Sequence, residues 1–237
     1  MGRFRQSKEE VMLRAVIFDF DGVITDSEVL HLRAFNKVLA RYNIEIKEEI
    51  YYKEYLGFTD LDCFKSVVEK SKLGLDSEQI RNLIKQKNQV FEELARSEAT
   101  IFEGAQEFLQ MLRDNGIPMA ICSGAVLEEI ELILEQSGLG HFFDIIVAGD
   151  QITKGKPDPE GFILALKRLN EGRQKPINSN ECVAIEDSHW GLEAAKAAGI
   201  HTVAITNTYD AEQLSMAEKI VASLSELTID DLRQLCA

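Results

Sequence analysis

"AVIFDFDGVITDSE", residues 15–28, is the stretch on which the reading of this chain turns. Four apolar residues, Ala15 to Phe18, run straight into Asp19 and Asp21, with only Phe20 between the two acids. In a strand, residues two apart point to the same side. A strand over residues 13–20 would therefore deliver both carboxylates to one side of its carboxyl end. In open parallel sheets that is where ligands bind.

Similar apolar runs recur along the chain. Residues 118–122, 143–148, 182–185 and 202–205 are short and mostly continuous, and 219–222 is a weaker one. Unbroken runs of this kind suit strands covered on both faces. Between them the pattern predicts helices at 104–115, 125–137, 159–169 and 191–198, with Gly116, Gly138 and Gly199 where left-handed C-terminal caps belong. Strand and helix alternate, so the expected fold class is α/β, a doubly wound, Rossmann-like parallel sheet. One segment breaks the alternation. Val29, Leu32, Phe35, Val38 and Leu39, then Ile80, Leu83, Ile84, Lys87, Val90, Phe91 and Leu94, follow helical spacing with no strand among them. We expect an inserted, small all-α cap at 28–99, with 1–27 and 100–237 forming the core. A terminal helix is expected at 229–235.

Composition narrows the function classes. The 237 residues carry a net charge of −14, which disfavours nucleic acid and anionic membranes as partners. The opening MGRFRQSKEEVMLR has no apolar core of a secretory signal, and no apolar run approaches the ~18 residues of a membrane span, so a cytoplasmic protein is expected. Cys63, Cys122, Cys182 and Cys236 form no C-x-x-C pair and read as small interior residues.

A second acidic pair, Glu186 and Asp187, closes the run in "CVAIEDSHWG". If that strand neighbours the first, four carboxylates converge and repel, and either protons or a cation must offset them. Hard oxygen donors with room for water suit Mg²⁺. Taken singly, Asp21-Gly22 could be a turn and Asp187-Ser188 a helix cap. Two more pieces fit an anionic substrate. "AICSGAV" ends its run at Ser123, with Gly124 and a helix following, so a hydroxyl and free N–H groups could hold a phosphate; Ser123 as a plain N-cap is the other reading. "TKGKPDPEGF" sets Lys156 in a tight loop before Asp158, an expected N-cap, and Pro159 at the first helical position; a solvated lysine is the other reading.

These four pieces, "DFDGVITDSE", "ICSGA", "GKPDPE" and "EDSHWGLEAAKAAG", in this order resemble the haloacid dehalogenase superfamily, in the subgroup of β-phosphoglucomutase and phosphoglycolate-phosphatase-like enzymes with a helical cap. The resemblance implies a Mg²⁺-dependent phosphatase acting on a small phosphate monoester, a sugar phosphate or similar metabolite. It implies Asp19 as the nucleophile that becomes an aspartyl-phosphate, and Asp21 as general acid and then base. Mg²⁺ would be held by Asp19, the Asp21 carbonyl and Asp187, with Glu186 acting through water or as an alternative ligand. Gly22, Ser123 and Gly124 would hold phosphoryl oxygens, and Lys156 would neutralise charge. His31 and Lys87 match cap residues of β-phosphoglucomutase, which implies that both contact substrate or that His31 steadies Asp21, though an ordinary polar residue and a solvated helix face are their plain readings. The cap loop at 57–60 is expected to face the site. A phosphosugar mutase is the alternative reaction. Against it, Asp60 stands where the mutase has an arginine for the second phosphate, and Ala125, Val126 and Leu127 replace its polar residues. The dehalogenases lack the second acid of the first motif, which is present here as Asp21. A binding module that kept the fold is the third class. A monomer or weak homodimer is expected.

Overall fold

The computed structural model describes residues 12–56 and 58–237. The expectation for the N-terminal stretch therefore lies, over residues 1–11, outside the described residues, as does that for Gly57.

The first strand, β1 (Ala15–Phe18), is followed by the helices α1 (Glu28–Leu39), α2 (Glu48–Glu54), α3 (Asp60–Lys70), α4 (Ser77–Glu98) and α5 (Ala105–Asp114). From there strands and helices alternate: β2 (Met119–Cys122), α6 (Leu127–Ser137), β3 (Ile145–Val147), α7 (Glu160–Leu169), β4 (Cys182–Glu186), α8 (His189–Ala197), β5 (His201–Ile205), β6 (Lys219–Val221) and α9 (Ile229–Leu235). The six strands form one parallel sheet in the order β3-β2-β1-β4-β5-β6. The fold class is thus the expected α/β arrangement. Strand order reverses between β1 and β4, which pair directly with Phe18 opposite Ile185. A crevice opens at such a reversal because the two loops leave in opposite directions.

Side-chain alternation explains how the sheet is covered. Ala15 and Ile17 of β1 join Ala120, Cys122 and Ala184 in a cluster with Phe162 and Ala165 of α7 and Ala194 of α8. The small residues let the two helices approach closely. Phe18 points the other way and meets Phe108 of α5 and Phe143 edge-on, with ring centroids 6.1 and 5.9 Å apart. Gly116, Gly138 and Gly199 take the positive φ expected at the helix ends.

The chain divides into two compact units. The sheet-bearing unit comprises the residues up to Ile24, then Phe102–Leu127 and Leu139–Ala237. The helical unit comprises Thr25–Ile101 and Glu128–Gly138, so most of α6 packs with the helices even though it follows a sheet strand. The core of the helical unit joins Phe35, Val38 and Leu39 of α1, Phe64 and Val67 of α3, and Ile80 and Leu83 of α4. Thr59 caps α3 by accepting from the Asp62 N–H, and Asp76 with Gln79 forms a capping box at α4. Among the described residues no helix is long and apolar enough to cross a membrane.

All four cysteines are free and buried. Burial pushes the thiols of Cys63, Cys122 and Cys182 up to about 12 and that of Cys236 to about 11. Thiolate is the reactive form, so little of it exists at pH 8. The native protein should resist an aromatic disulfide reagent at that pH, and all four thiols should react once urea unfolds the chain. Absorbance at the released thiophenolate band checks this.

Candidate active site

The site residues sit at the carboxyl ends of strands in the sheet-bearing unit. β1 ends at Phe18, one residue before Asp19, so Asp19 and Asp21 lie in the loop beyond the strand rather than within it. Strand alternation therefore does not orient them. The Asp19 N–H instead extends the ladder by donating to the Ile185 carbonyl of β4 at 2.9 Å. Glu186 is the last residue of β4, and Asp187 follows it. Adjacent parallel strands thus bring the two acidic pairs to one edge.

Asp19, Glu186 and Asp187 are all buried, and each offers a carboxylate oxygen within 4.8 Å of the others. Lys156 enters this cluster from the loop before α7. Its Nζ lies 2.5 Å from Asp19 Oδ1 and 2.6 Å from Glu186 Oε1. Burial alone would lower the Lys156 pKa; Asp19 and then Glu186 outweigh it and hold the ammonium charged, well above its ordinary value. For Glu186, burial raises the pKa against the pull of Lys156, and the neighbouring Asp19 and Asp187 raise it further. The Lys156 ammonium also lies 5.7 Å from the centroid of the Phe162 ring, which anchors it to the core.

Local chemistry fastens the lysine loop. Glu160 Oε1 accepts from the Thr153 N–H, and Oε2 accepts from the Thr153 hydroxyl and the Lys154 N–H, at 3.0, 2.8 and 3.0 Å. Asp158 Oδ1 accepts from the Glu160 N–H at 3.0 Å, but Pro159 rather than Asp158 is the N-cap, and α7 starts at Glu160, one residue later than expected.

Ser123 follows β2 directly. Its Oγ donates to Asp21 Oδ2 at 3.3 Å and accepts from the Ala125 N–H at 3.0 Å. It is not the N-cap of α6, which begins only at Leu127, where the Asp150 carboxylate accepts from the Leu127 N–H at 3.0 Å. Ser123 is thereby bound into a turn beside Asp21. Ser188 does cap α8, accepting from the Gly191 N–H at 3.1 Å.

Three glycines shape the site by what they leave out. Gly22 has φ +81°, and a methyl there would overlap the Asp187 carboxylate. A methyl at Gly191 would overlap the Glu186 carboxylate, and one at Gly149 would overlap the Gly124 carbonyl. Gly149 also donates its N–H to Ala125 O at 2.8 Å, pinning the segment after Ser123. The first was visible in the motif. The other two are signalled only by a glycine just past a strand or inside a helix start.

His31 and Lys87 are brought together in the helical unit. Lys87 is 1% exposed, so the solvated-face reading of it is wrong. Its ammonium lies 2.8 Å from His31 Nδ1, 3.0 Å from Asp60 Oδ1 and 3.8 Å from Glu129 Oε1. It also lies 5.3 and 5.1 Å from the ring centroids of Phe35 and Phe91. Burial first, and then the Lys87 charge, hold His31 well below its ordinary pKa, so it is neutral and accepts from the ammonium through Nδ1. Sequence reasoning missed Asp60 and Glu129 as lysine partners because they come from different helices. It also missed Asn207 and Thr208: Asn207 Nδ2 donates to the Gly22 carbonyl at 2.7 Å, and the Thr208 hydroxyl donates to Asp187 Oδ2. No local pattern in "TNTYD" marks them.

The donor set fits a divalent cation. Three carboxylates with buried hard oxygens converge, and the burial that raises the Glu186 pKa signals charge that a cation would offset. A phosphoryl group beside them would meet a carboxylate, a hydroxyl and an ammonium.

A family model described as haloacid dehalogenase-like hydrolase matches residues 16–205. The chain is 32% identical over 192 residues to a phosphorylated carbohydrates phosphatase of Thermotoga maritima, covering 81% of this chain and 84% of that protein. The solved structure of CbbY from Rhodobacter sphaeroides in complex with phosphate superposes with a TM-score of 0.81 at 26% identity, over 91% of this chain and 96% of that one. A β-phosphoglucomutase from Clostridium difficile gives 0.81 at 25% identity, over 95% and 97%.

Backbone strain separates two glycines of the site. Gly22→Ala should lower stability by about 1–2 kcal/mol, the cost of a left-handed alanine, before any cost of displacing Asp187. Gly124→Ala meets nothing within 4 Å and should stay within about 0.5 kcal/mol of the parent. Urea unfolding of both variants provides the comparison.

Proposed function

The chain belongs to the haloacid dehalogenase-like hydrolase family and is a phosphoric monoester hydrolase, and we propose that it uses Mg²⁺ and an aspartyl-phosphate on Asp19 to hydrolyse a small sugar phosphate or similar metabolite. The observation that carries this reading is the Lys156 ammonium seated between Asp19 and Glu186 with Asp187 beside them.

Asp19, Asp187 and Glu186 are the residues to hold the metal, with the Asp21 carbonyl. Mg²⁺, when bound, supplies positive charge to the phosphoryl oxygens. Asp19 attacks phosphorus, and the bond from phosphorus to the leaving oxygen breaks as the new one forms. Lys156 neutralises Asp19 before attack and the phosphoryl oxygens during transfer. Asp21 gives its proton to the leaving oxygen and then takes one from the water that cleaves the acyl phosphate. The Ser123 hydroxyl, donating to Asp21 Oδ2, steadies that carboxylate and lies ready for a phosphoryl oxygen. Gly22 and Gly124 contribute backbone to the same cradle.

Between phosphatase and mutase, the phosphatase is favoured. A mutase must hold a second phosphate with a cation. Asp60 occupies the aligned place, and the Lys87 ammonium of the same unit is already matched by Asp60 and Glu129. His31, neutral beside it, adds no charge.

Asp19→Asn should lower phosphate release from a panel of sugar phosphates by roughly 1,000-fold or more, as loss of a nucleophile does. Parent activity in that variant would sink the mechanism. Phosphate release without isomerised sugar phosphate marks the phosphatase, and isomerisation without release marks the mutase.

A further inference from the structure

The loop after β5 reaches both acidic segments at once. Asn207 Nδ2 donates to the carbonyl of Gly22, the residue after Asp21, at 2.7 Å. The Thr208 hydroxyl donates to Asp187 Oδ2. Gly22, Asp187 and Thr208 crowd one point: a Cβ on Gly22 would overlap the carboxylate and stand 2.9 Å from Thr208 Oγ1. Neighbouring residues of one loop therefore tie the segment bearing Asp19 and Asp21 to the segment bearing Asp187.

Such a tie answers a physical need. Asp187 shares a 4.8 Å space with two other carboxylates, and like charges favour any rotamer that swings it away. A hydroxyl donor on one oxygen holds the converging rotamer against that repulsion. The donors are not core residues, since Asn207 is exposed and Thr208 partly so, while their acceptors belong to the buried Asp187 and Gly22. We propose that Thr208 and Asn207 are positioning residues for divalent-cation binding, Thr208 by fixing the Asp187 carboxylate and Asn207 by fixing the Gly22 carbonyl and the turn that carries Asp21. The proposal rests on the reading of the acid cluster as a cation site. Partners of this kind, behind the ligands, commonly set metal affinity.

The test titrates Mg²⁺ into the full chain by isothermal calorimetry, with no substrate present. Thr208→Val keeps the shape and removes the donor, and Thr208→Ser keeps the donor. Asn207→Leu removes the other donor. Thr208→Val should weaken Mg²⁺ binding about 10-fold, within the usual range for such partners. Asn207→Leu should weaken it in the same direction, and Thr208→Ser should recover the parent affinity. The metal-free melting temperature should fall by a few degrees in Thr208→Val, which leaves a buried carboxylate without its donor, and return to the parent value in Thr208→Ser. Parent-like affinity in both Thr208→Val and Asn207→Leu would overturn the proposal and leave the metal reading standing. Weaker binding that Thr208→Ser does not recover, with a lower metal-free melting temperature, would reduce the loop to a structural brace and also overturn it. A parent protein without saturable Mg²⁺ binding would overturn the metal reading, and the proposal with it.

Discussion

Lys156 Nζ lies 2.5 Å from Asp19 Oδ1 and 2.6 Å from Glu186 Oε1, and those two carboxylates stand at the ends of neighbouring strands. Without a cation between them, burial and mutual repulsion would drive one acid to take up a proton or turn away. The lysine reaches its place through a loop that Glu160 fastens and across the ring of Phe162. The same contacts serve fold and chemistry. An ion pair this buried contributes little net stability, since desolvation offsets attraction. Its value is in fixing the arrangement.

The two units manage buried charge in parallel ways. In the sheet-bearing unit one ammonium faces two strand-end carboxylates. In the helical unit Lys87 lies between Asp60 and Glu129, with His31 accepting a hydrogen bond and two phenylalanine rings around it. The first cluster sits at a strand-order reversal, where a ligand can reach it. The second joins residues from α1, α3, α4 and α6, where one ammonium is shared by two carboxylates and a neutral imidazole within the helical unit. The first lies where ligands bind in such sheets, and the second holds its lysine inside a helical core.

Much of this was legible in the chain. Continuous runs such as Val183 to Ile185 identify strands covered on both faces, and the acids that close two of them mark the site before any coordinates. Boundaries were less legible. The first strand ends at Phe18, with the Asp19 N–H making a last ladder bond to Ile185, because the backbone then turns and the Val23 and Ile24 N–H groups donate to the Phe20 carbonyl. α6 starts at Leu127 rather than Ala125 because Gly149 and Asp150 claim the preceding backbone, from another part of the chain. Lys87 fell on an apolar face by spacing, yet its burial becomes intelligible only once Asp60 and Glu129 are seen beside it. Asn207 and Thr208 carry no local signature, because their meaning lies wholly in the residues they touch.

The strand order has a consequence for synthesis. Asp19 precedes its sheet neighbour β4 and the Glu186–Asp187 pair by more than 160 residues. At a ribosome adding 5–20 residues per second, the 168 residues from Asp19 to Asp187 take roughly 8 to 34 s. Within that interval β2 emerges first as a neighbour for β1, then Lys156 as the counter-charge of Asp19, and the second acidic pair last. The cluster of Asp19, Lys156, Glu186 and Asp187 is thus assembled in order of synthesis, and its last member arrives only with the strand that pairs beside the first.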